Sequence, residues 1–415
     1  MTTKGGRVWR TSVKIAFPIH SIFSRSGDVL GDYFKQPQEF AQASLHAARL
    51  VTGAPPRIAL NGRFLTQKTW GVQRFAIETV HAIDALLDTD AYGALKGRIE
   101  IIAPAEARDF PLKNIPLRRA GFFSGYVWEQ FEFPLHTSGQ LLLNLCMLGP
   151  LLTRHQIVVV HDATVRALPD NFSPRFRAAY GFLIPRLCAR ADLVVTVSEF
   201  SRQEIGKWYG ADIGKIPICY EGGDHISAVT ADPTALDRFG LRDKKFLLGV
   251  GVTTSNKNIE TALAAFLQAK LGETLLVLTG ESSLSVHGRL TDVQSKNVRK
   301  VGHVSDPELR TLYGHALALT YPSRYEGFGL PPLEAMNCGC PVIISDQPAL
   351  VEICGDAALQ CGVDDVAELA RLMQALHSDP ALRERLKIAG FERARHFTWR
   401  KTAQNLLDHC LTVSV

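Results

Sequence analysis

One segment, residues 321–341, constrains this chain more than any other, because its pattern fixes a local order of structural elements. An apolar run at residues 316–321 leads into it and has the character of a buried strand. A turn with Gly327 and Gly329 follows, and the sequence Leu-Pro-Pro-Leu-Glu-Ala-Met comes next at residues 330–336. Proline is tolerated in a first helical turn, where backbone N–H groups lack partners. We therefore predict a strand, a glycine turn, a short helix and a second strand.

The same segment carries groups that suit a phosphorylated sugar. A helix N-terminus beside a glycine turn offers free N–H groups and about half a positive charge, which favours a phosphate. Glu326 stands at the turn, and seven residues separate it from Glu334 in the helix. A carboxylate accepts two hydrogen bonds at once and so matches a vicinal diol. Spacing alone fits equally well an ordinary strand–turn–helix with two solvated glutamates.

With Gly-Phe-Gly-Leu-Pro between Glu326 and Glu334, the segment resembles the E-x7-E signature of the retaining glycosyltransferases of family 4. The resemblance extends through residues 57–400. It implies an α/β protein of the GT-B fold, with two Rossmann-like parallel-sheet domains facing a cleft and a C-terminal helix that crosses back to the first domain. The implied divisions are an N-terminal extension, an acceptor-side domain, a nucleotide-sugar-binding domain and the crossing helix, at residues 1–56, 57–222, 223–396 and 397–415.

Length and composition agree with a two-domain soluble protein. The chain has 415 residues, which is long for one domain and comfortable for two. Its eight cysteines form no C-x-x-C pair, so we expect reduced thiols and a cytoplasmic location. The longest central apolar stretch, residues 141–152, is interrupted and too short to span a bilayer.

The net charge is concentrated at one end of the chain. It amounts to 46 − 41 = +5, and residues 1–27 alone carry five basic residues and no acid. The remainder is near neutral, which argues against a nucleic-acid-binding protein. Aromatic residues alternate with these charges, so the extension fits either a tether to an anionic membrane surface, peripheral on the inner membrane, or a solvated tail.

Two features of the first half have counterparts in the family. His161 follows a continuous apolar run at residues 156–160, and ligand sites in parallel sheets lie at the carboxyl ends of strands. The family has a histidine here that contacts the donor sugar, although the ring could also cap the strand without a role. Gly71 opens a predicted helix where the family has a glycine loop near the donor phosphates; a plain turn glycine is the alternative. The sequence Asp-Thr-Asp at residues 88–90 trails a helix, so we predict no metal site there.

The second half begins with an incomplete glycine motif. Gly249 and Gly251 start like a dinucleotide fingerprint, but the third glycine is missing and the next strand-end acid, Glu281, is too distant. A dinucleotide oxidoreductase is therefore disfavoured. The stretch resembles the family's phosphate clamp instead: Lys257 matches the lysine, while Val252 replaces the arginine. Arg324 is either the substitute cation or a solvated arginine.

The resemblance thus implies a retaining glycosyltransferase that acts without a metal or other cofactor. The donor is expected to be a nucleotide-sugar, GDP-mannose, and the acceptor a glycan or lipid-linked oligosaccharide. The predicted catalytic residues are His161, Lys257 and Glu326. The predicted donor-binding residues are Gly71, Lys257, Arg324, Gly327, Phe328, Gly329, Leu330 and Glu334. The alternative is a non-catalytic GT-B protein that binds a nucleotide or glycan; Val252 favours it, and the two glutamates count against it.

Overall fold

The computed structural model describes residues 55–251, 255–280 and 296–413. These residues belong to one compact unit and contain two six-stranded sheets. The predictions made for residues 1–27, for Val252 and for Glu281 lie outside the described ranges.

Each sheet contains strands that follow one another along half of the chain. The first sheet holds β1 to β6, which are Ile58–Asn61, Ile99–Ala103, Leu117–Arg119, Leu141–Asn144, Gln156–Val159 and Leu193–Val195. The second holds β7 to β12, which are Phe246–Val250, Leu275–Thr279, Val298–Gly302, Ala318–Tyr321, Val342–Ser345 and Leu359–Cys361.

Both sheets have the same doubly wound topology. Their strand orders are β3-β2-β1-β4-β5-β6 and β12-β11-β10-β7-β8-β9, and neighbouring strands within each sheet run parallel. The order reverses between β1 and β4 and again between β7 and β10. Ligands of such sheets bind beyond the carboxyl ends of the strands at this reversal. The predicted α/β fold with two Rossmann-like domains is confirmed.

Helices separate the strands and cover the sheets. In chain order, α1 to α14 are Gly71–Leu86, Gly125–Val127, Thr164–Ala167, Pro174–Arg190, Glu199–Tyr209, His225–Ala228, Ala235–Arg238, Ile259–Ala269, Asp306–His315, Leu330–Asn337, Pro348–Cys354, Val366–Ser378, Pro380–Ala394 and Trp399–Val413. Every residue of β1, β4, β5, β8, β10 and β11 is buried. This explains their continuous apolar character, since a parallel strand is covered on both faces.

Serine side chains cap the N-termini of two helices. Ser173 accepts a hydrogen bond from the Phe176 N–H at 3.3 Å. Ser198 accepts one from the Ser201 N–H at 3.0 Å at the start of α5. Such caps satisfy N–H groups that have no intrahelical partner. They fix the start of α5 close to the end of β6, which matters for the site below.

The last helix packs against the first domain. Trp399 is the first residue of α14, and its ring centroid lies 5.9 Å from the ring centroid of Phe75 in α1. Near the other end, Asp408 accepts a hydrogen bond from the Tyr92 hydroxyl at 2.9 Å. The predicted crossing helix is thus confirmed, while the exact domain boundaries stay a prediction. No helix in the described part of the chain is both long and apolar enough to cross a membrane.

Candidate functional site

The site begins where β10 ends at the reversal point of the second sheet. A turn leads from Tyr321 to Gly329, the residue that caps α10. Gly329 has φ = +112°, a backbone conformation that L side chains rarely adopt. A methyl group there would also lie 2.7 Å from the Leu350 side chain. Glycine is therefore required for the turn to reach the helix in this way.

Consecutive backbone amides at this turn have no partner in the described structure. The N–H groups of Gly327, Phe328, Gly329 and Leu330 donate no hydrogen bond to any described residue. Phe328, Gly329 and Leu330 are buried, and buried N–H groups are nearly always paired. The two residues after Leu330 are prolines, which have no N–H. These amides are consequently the hydrogen-bond donors of the α10 N-terminus, and their arrangement suits an anion.

A lysine–glutamate pair lies beside the amides. The Lys257 Nζ atom is 2.7 Å from Glu326 Oε1 and also donates to the Tyr321 hydroxyl. Glu326 accepts a further hydrogen bond from the Ser323 hydroxyl. Burial and the nearby Glu326 charge raise the pKa of Tyr321 well above its ordinary value, so this hydroxyl stays neutral. The sequence-predicted Lys257 and Glu326 are thus brought together in one ion pair.

Glu334 points from α10 into a buried polar cluster. Its Oε2 atom accepts a hydrogen bond from the Tyr313 hydroxyl at 3.0 Å. The His225 Nε2 atom lies 3.1 Å from Glu334 Oε1, but it makes no well-oriented hydrogen bond to a described residue. The other ring nitrogen of His225 accepts from the Trp399 indole N–H at 3.0 Å, which leaves the ring proton on Nε2. Tyr313 therefore holds one carboxylate oxygen of Glu334 and His225 lies beside the other. Lone pairs of the carboxylate remain that can accept further hydrogen bonds.

His161 lies at the end of β5 and is only 4% exposed. Its Nε2 atom is 2.9 Å from the Leu145 carbonyl oxygen, which can only accept, so Nε2 carries a proton. Its Nδ1 atom lies 3.4 Å from Glu221 Oε1. Burial raises the pKa of the Glu221 carboxyl above its ordinary value. Both ring nitrogens are engaged within the first domain, and a contact with the donor sugar stays a prediction.

The glycine turn meets the first domain directly. A methyl group on Gly327 would lie 2.9 Å from the His161 carbonyl oxygen. The Gly327 carbonyl accepts hydrogen bonds from the hydroxyls of Ser198 and Ser201 at the start of α5. The Glu352 carboxylate accepts from the Glu199 N–H of the same helix at 2.8 Å. These contacts bring the carboxyl ends of both sheets to one place.

Two other predicted residues have different surroundings. The Arg324 guanidinium lies 2.7 Å from Asp364 Oδ1, and its side chain is 40% exposed. Its proposed diphosphate contact stays a prediction. Gly71 is the first residue of α1, and a methyl group on it would contact nothing within 4 Å, so packing does not demand glycine there.

Arg74, one turn after Gly71 in α1, makes a third contact between the two domains. Arg74 pairs with Asp306 at 2.7 Å and with Glu78 at 3.3 Å. Although burial disfavours its charge, Asp306, Glu78 and the more distant Glu334 raise the pKa of Arg74. The environment of Glu334 therefore includes a fixed positive charge from the first domain.

Sequence reasoning missed several members of the site. Glu221 belongs to a Glu-Gly-Gly-Asp stretch whose composition is typical of a linker, yet it is only 5% exposed and contacts His161. His225 and Tyr313 carry no local signal, because each meets Glu334 only through the fold. An acid next to paired glycines, directly after an apolar run, is the one pattern that could have indicated Glu221.

Part of the sequence matches a known family, described as glycosyl transferases group 1, over residues 235–393. The O-antigen chain mannosyltransferase B of Escherichia coli is 31% identical over 255 residues, which cover 59% of this chain and 66% of that protein. The O-antigen chain mannosyltransferase RfbU of Salmonella typhimurium is 32% identical over 219 residues, which cover 52% of this chain and 59% of that protein. The matched regions thus span less than two thirds of these relatives' lengths.

A solved structure shares the two-domain architecture. The sucrose-phosphate synthase from Thermosynechococcus elongatus is similar with a TM-score of 0.64 at 19% sequence identity, and the match covers 85% of this chain and 97% of that chain. At this identity the likeness concerns the fold alone. Residues 235–393 thus match the group 1 glycosyl transferases, and the described part of the chain has the two-domain GT-B fold.

Proposed function

We propose that this protein is a retaining hexosyltransferase that moves mannose from GDP-mannose to a hydroxyl group of a glycan or lipid-linked oligosaccharide. The observation that carries the proposal is the run of unpartnered amides from Gly327 to Leu330 next to the Lys257–Glu326 pair. A diphosphate satisfies such amides and adds a favourable interaction with the lysine. Buried backbone donors without acceptors are rare in native structures, and a run of them points to a ligand.

Donor binding divides among the groups of the site. The amides and Lys257 hold the diphosphate, and Glu334 accepts hydrogen bonds from the ribose hydroxyls. A carboxylate offers about four lone-pair positions, so Glu334 can keep Tyr313 and still bind a diol. An ammonium group has three donors, so Lys257 can contact a phosphate oxygen without leaving Glu326 and Tyr321.

The transfer step exchanges one bond at the anomeric carbon for another. The bond to the diphosphate oxygen breaks, and the acceptor hydroxyl oxygen bonds to the same face of the sugar. The hydroxyl proton passes to the departing phosphate oxygen. Lys257 and the amides stabilise the charge that develops on the leaving group, which is where electrostatic groups contribute most to catalysis. Glu326 fixes the sugar hydroxyls and so orients the anomeric carbon.

The relatives support the choice of sugar and acceptor. Two of them are named O-antigen chain mannosyltransferases, which favours mannose and a polysaccharide acceptor. An acceptor on a lipid carrier would bring the protein to the cytoplasmic membrane surface.

A donor panel tests the proposal. The full chain is incubated with GDP-mannose, GDP-fucose, UDP-glucose and UDP-N-acetylglucosamine, and release of nucleoside diphosphate is measured with and without mannose-containing acceptors. We expect turnover with GDP-mannose and a product with the donor's anomeric configuration by NMR. Donor binding without hydrolysis or transfer across the panel would favour the non-catalytic alternative. Glu326→Gln serves as the matched control for contaminating activity.

A further inference from the structure

A cavity lies on the first domain, and none of its lining residues belongs to the candidate site. It has a volume of about 600 Å³ and is bordered by α3, α4 and α5. Arg166, Arg177 and Arg186 line it together with Phe182 and Trp208, and no carboxylate is among its lining residues. The cavity therefore combines positive charge with aromatic surface.

The charges of this cavity are not neutralised by the described residues. Along α4, residues 174–190 include no aspartate or glutamate. Arg166 and Arg186 donate to the backbone carbonyls of Gly181 and Phe182. Within the described ranges, neither these two arginines nor Arg177 pairs with a carboxylate. Most of their N–H donors thus remain available.

Two other surface arginines, in contrast, pair with carboxylates. Arg118 lies 2.9 Å from Glu100, and Arg238 lies 2.8 Å from Asp232. An unpaired cluster costs free energy through repulsion between like charges. The concentration of unpaired arginines in one cavity accordingly points to a partner that supplies negative charge.

Gly181 and Pro185 of α4 together position the Arg166 guanidinium. Pro185 lies inside the helix and has no N–H, so the Gly181 carbonyl four residues earlier lacks its helical partner. Arg166 donates to that carbonyl at 3.4 Å. A methyl group on Gly181 would lie 2.6 Å from the same guanidinium nitrogen. Glycine and proline both weaken a helix interior, and here their combination places a cation at the cavity wall.

The aromatic side chains add an apolar wall. Phe182 is 51% exposed and Trp208 is 38% exposed, so both rings present apolar surface to the cavity. The Arg186 guanidinium lies 3.6 Å from the Phe182 ring centroid, a distance that fits a cation–π contact. The ring thus fixes the Arg186 guanidinium at the edge of the cavity.

We propose that this cavity binds a phosphate group that carries an apolar moiety, with the guanidinium groups on the phosphate oxygens and the rings on the apolar part. Arginine pairs with phosphate through two parallel hydrogen bonds, which a planar fork allows and an ammonium does not. A phospholipid headgroup and a soluble phosphate ester share this chemistry. The site lies outside the proposed transferase site, so its occupancy is independent of turnover.

Binding to the full chain tests the proposal with two probes. One is vesicles of phosphatidylcholine with and without phosphatidylglycerol, measured by co-sedimentation, and the other is phenyl phosphate, measured by calorimetry with the transferase site filled by GDP. The cavity variant is Arg177→Gln with Arg186→Gln. The matched control is Arg175→Gln with Arg190→Gln, which removes the same charge from exposed positions of the same helix outside the cavity.

We expect at least about tenfold weaker binding in the cavity variant and little change in the control, because charge-assisted hydrogen bonds are lost only in the former. Gly181→Ala should also weaken binding, since it displaces the Arg166 guanidinium, without lowering the melting temperature. Binding of vesicles alone assigns a lipid headgroup, and binding of phenyl phosphate that the cavity variant loses assigns a soluble phosphate ester. Equal losses in both double variants, or no binding of either probe by the unmodified chain, would overturn the proposal.

Discussion

Replacing Glu334 with glutamine tests the assignment of the ribose site. Glutamine keeps the shape of the side chain and can still accept the hydrogen bond from the Tyr313 hydroxyl, which lies 3.0 Å from Glu334 Oε2. What disappears is the charge of the acceptor that faces the diol. A hydrogen bond to a charged group contributes about 1.5–3 kcal/mol. Because the neutral glutamine acceptor still contributes about 0.5–1.5 kcal/mol, about 1–1.5 kcal/mol is lost, and we expect about fivefold to tenfold weaker binding of the donor.

Calorimetry with two ligands makes this test specific. GDP and its 2′,3′-dideoxy analogue are titrated into the unmodified chain and into Glu334→Gln. The substitution should weaken binding of GDP and leave binding of the dideoxy analogue nearly unchanged, because only GDP has the diol. Tyr313→Phe serves as the control, since it removes the supporting hydroxyl and keeps the carboxylate. Equal losses for both ligands, or no loss for GDP, would refute the ribose assignment.

Four further outcomes follow from the same residues. Glu326→Ala should lower turnover far more than it weakens binding of GDP, because Glu326 is assigned to the sugar; equal effects in kinetics and calorimetry would contradict this division. Arg324→Ala should lower turnover by at least about tenfold if the Arg324 guanidinium leaves Asp364 to bind the diphosphate. Full activity of the variant would mean that Arg324 only forms a surface ion pair with Asp364. Deleting residues 1–27 should reduce co-sedimentation with anionic vesicles and spare transfer to a soluble acceptor; salt-insensitive binding that survives the deletion would exclude a tether. Burial raises the pKa of Glu221 above its ordinary 4.5, so its contribution to stability is present below that pH and is lost as the pH rises. Urea unfolding should therefore show that Glu221→Gln gains stability over the unmodified chain above that pH, and a difference that does not vary with pH would contradict the shift.

The sequence predicts most of the fold because the relevant signals are local. The strand–turn–helix–strand order around α10 follows from apolar runs, glycines and prolines that lie within one short segment. Serine caps at Ser173 and Ser198 likewise act within one helical turn. The sequence does not predict β3 and β12, since these edge strands have three residues each and include exposed polar side chains. So short a strand is specified by its neighbour rather than by its own pattern.

The site is only partly predictable because most of its contacts join distant parts of the chain. Lys257 and Glu326 could be assigned by resemblance, but their ion pair depends on β7 and β10 lying side by side. Glu221 contacts His161, which is 60 residues away in the sequence. Trp399 donates a hydrogen bond to His225, which is 174 residues away. A buried acid in a polar, glycine-rich stretch is indistinguishable from a linker until the fold brings a partner to it.

Turnover of GDP-mannose by Lys257 variants tests the central proposal most directly. The unmodified chain, Lys257→Met and Lys257→Arg are compared by release of GDP in the presence of a mannose-containing acceptor. We expect turnover by the unmodified chain and a loss of at least about a hundredfold in Lys257→Met, since an uncompensated leaving-group charge raises the barrier by about 3 kcal/mol. Lys257→Arg should retain part of the activity because it preserves the positive charge. Full activity in Lys257→Met would contradict the proposed diphosphate site, and absence of turnover in the unmodified chain would contradict the transferase itself.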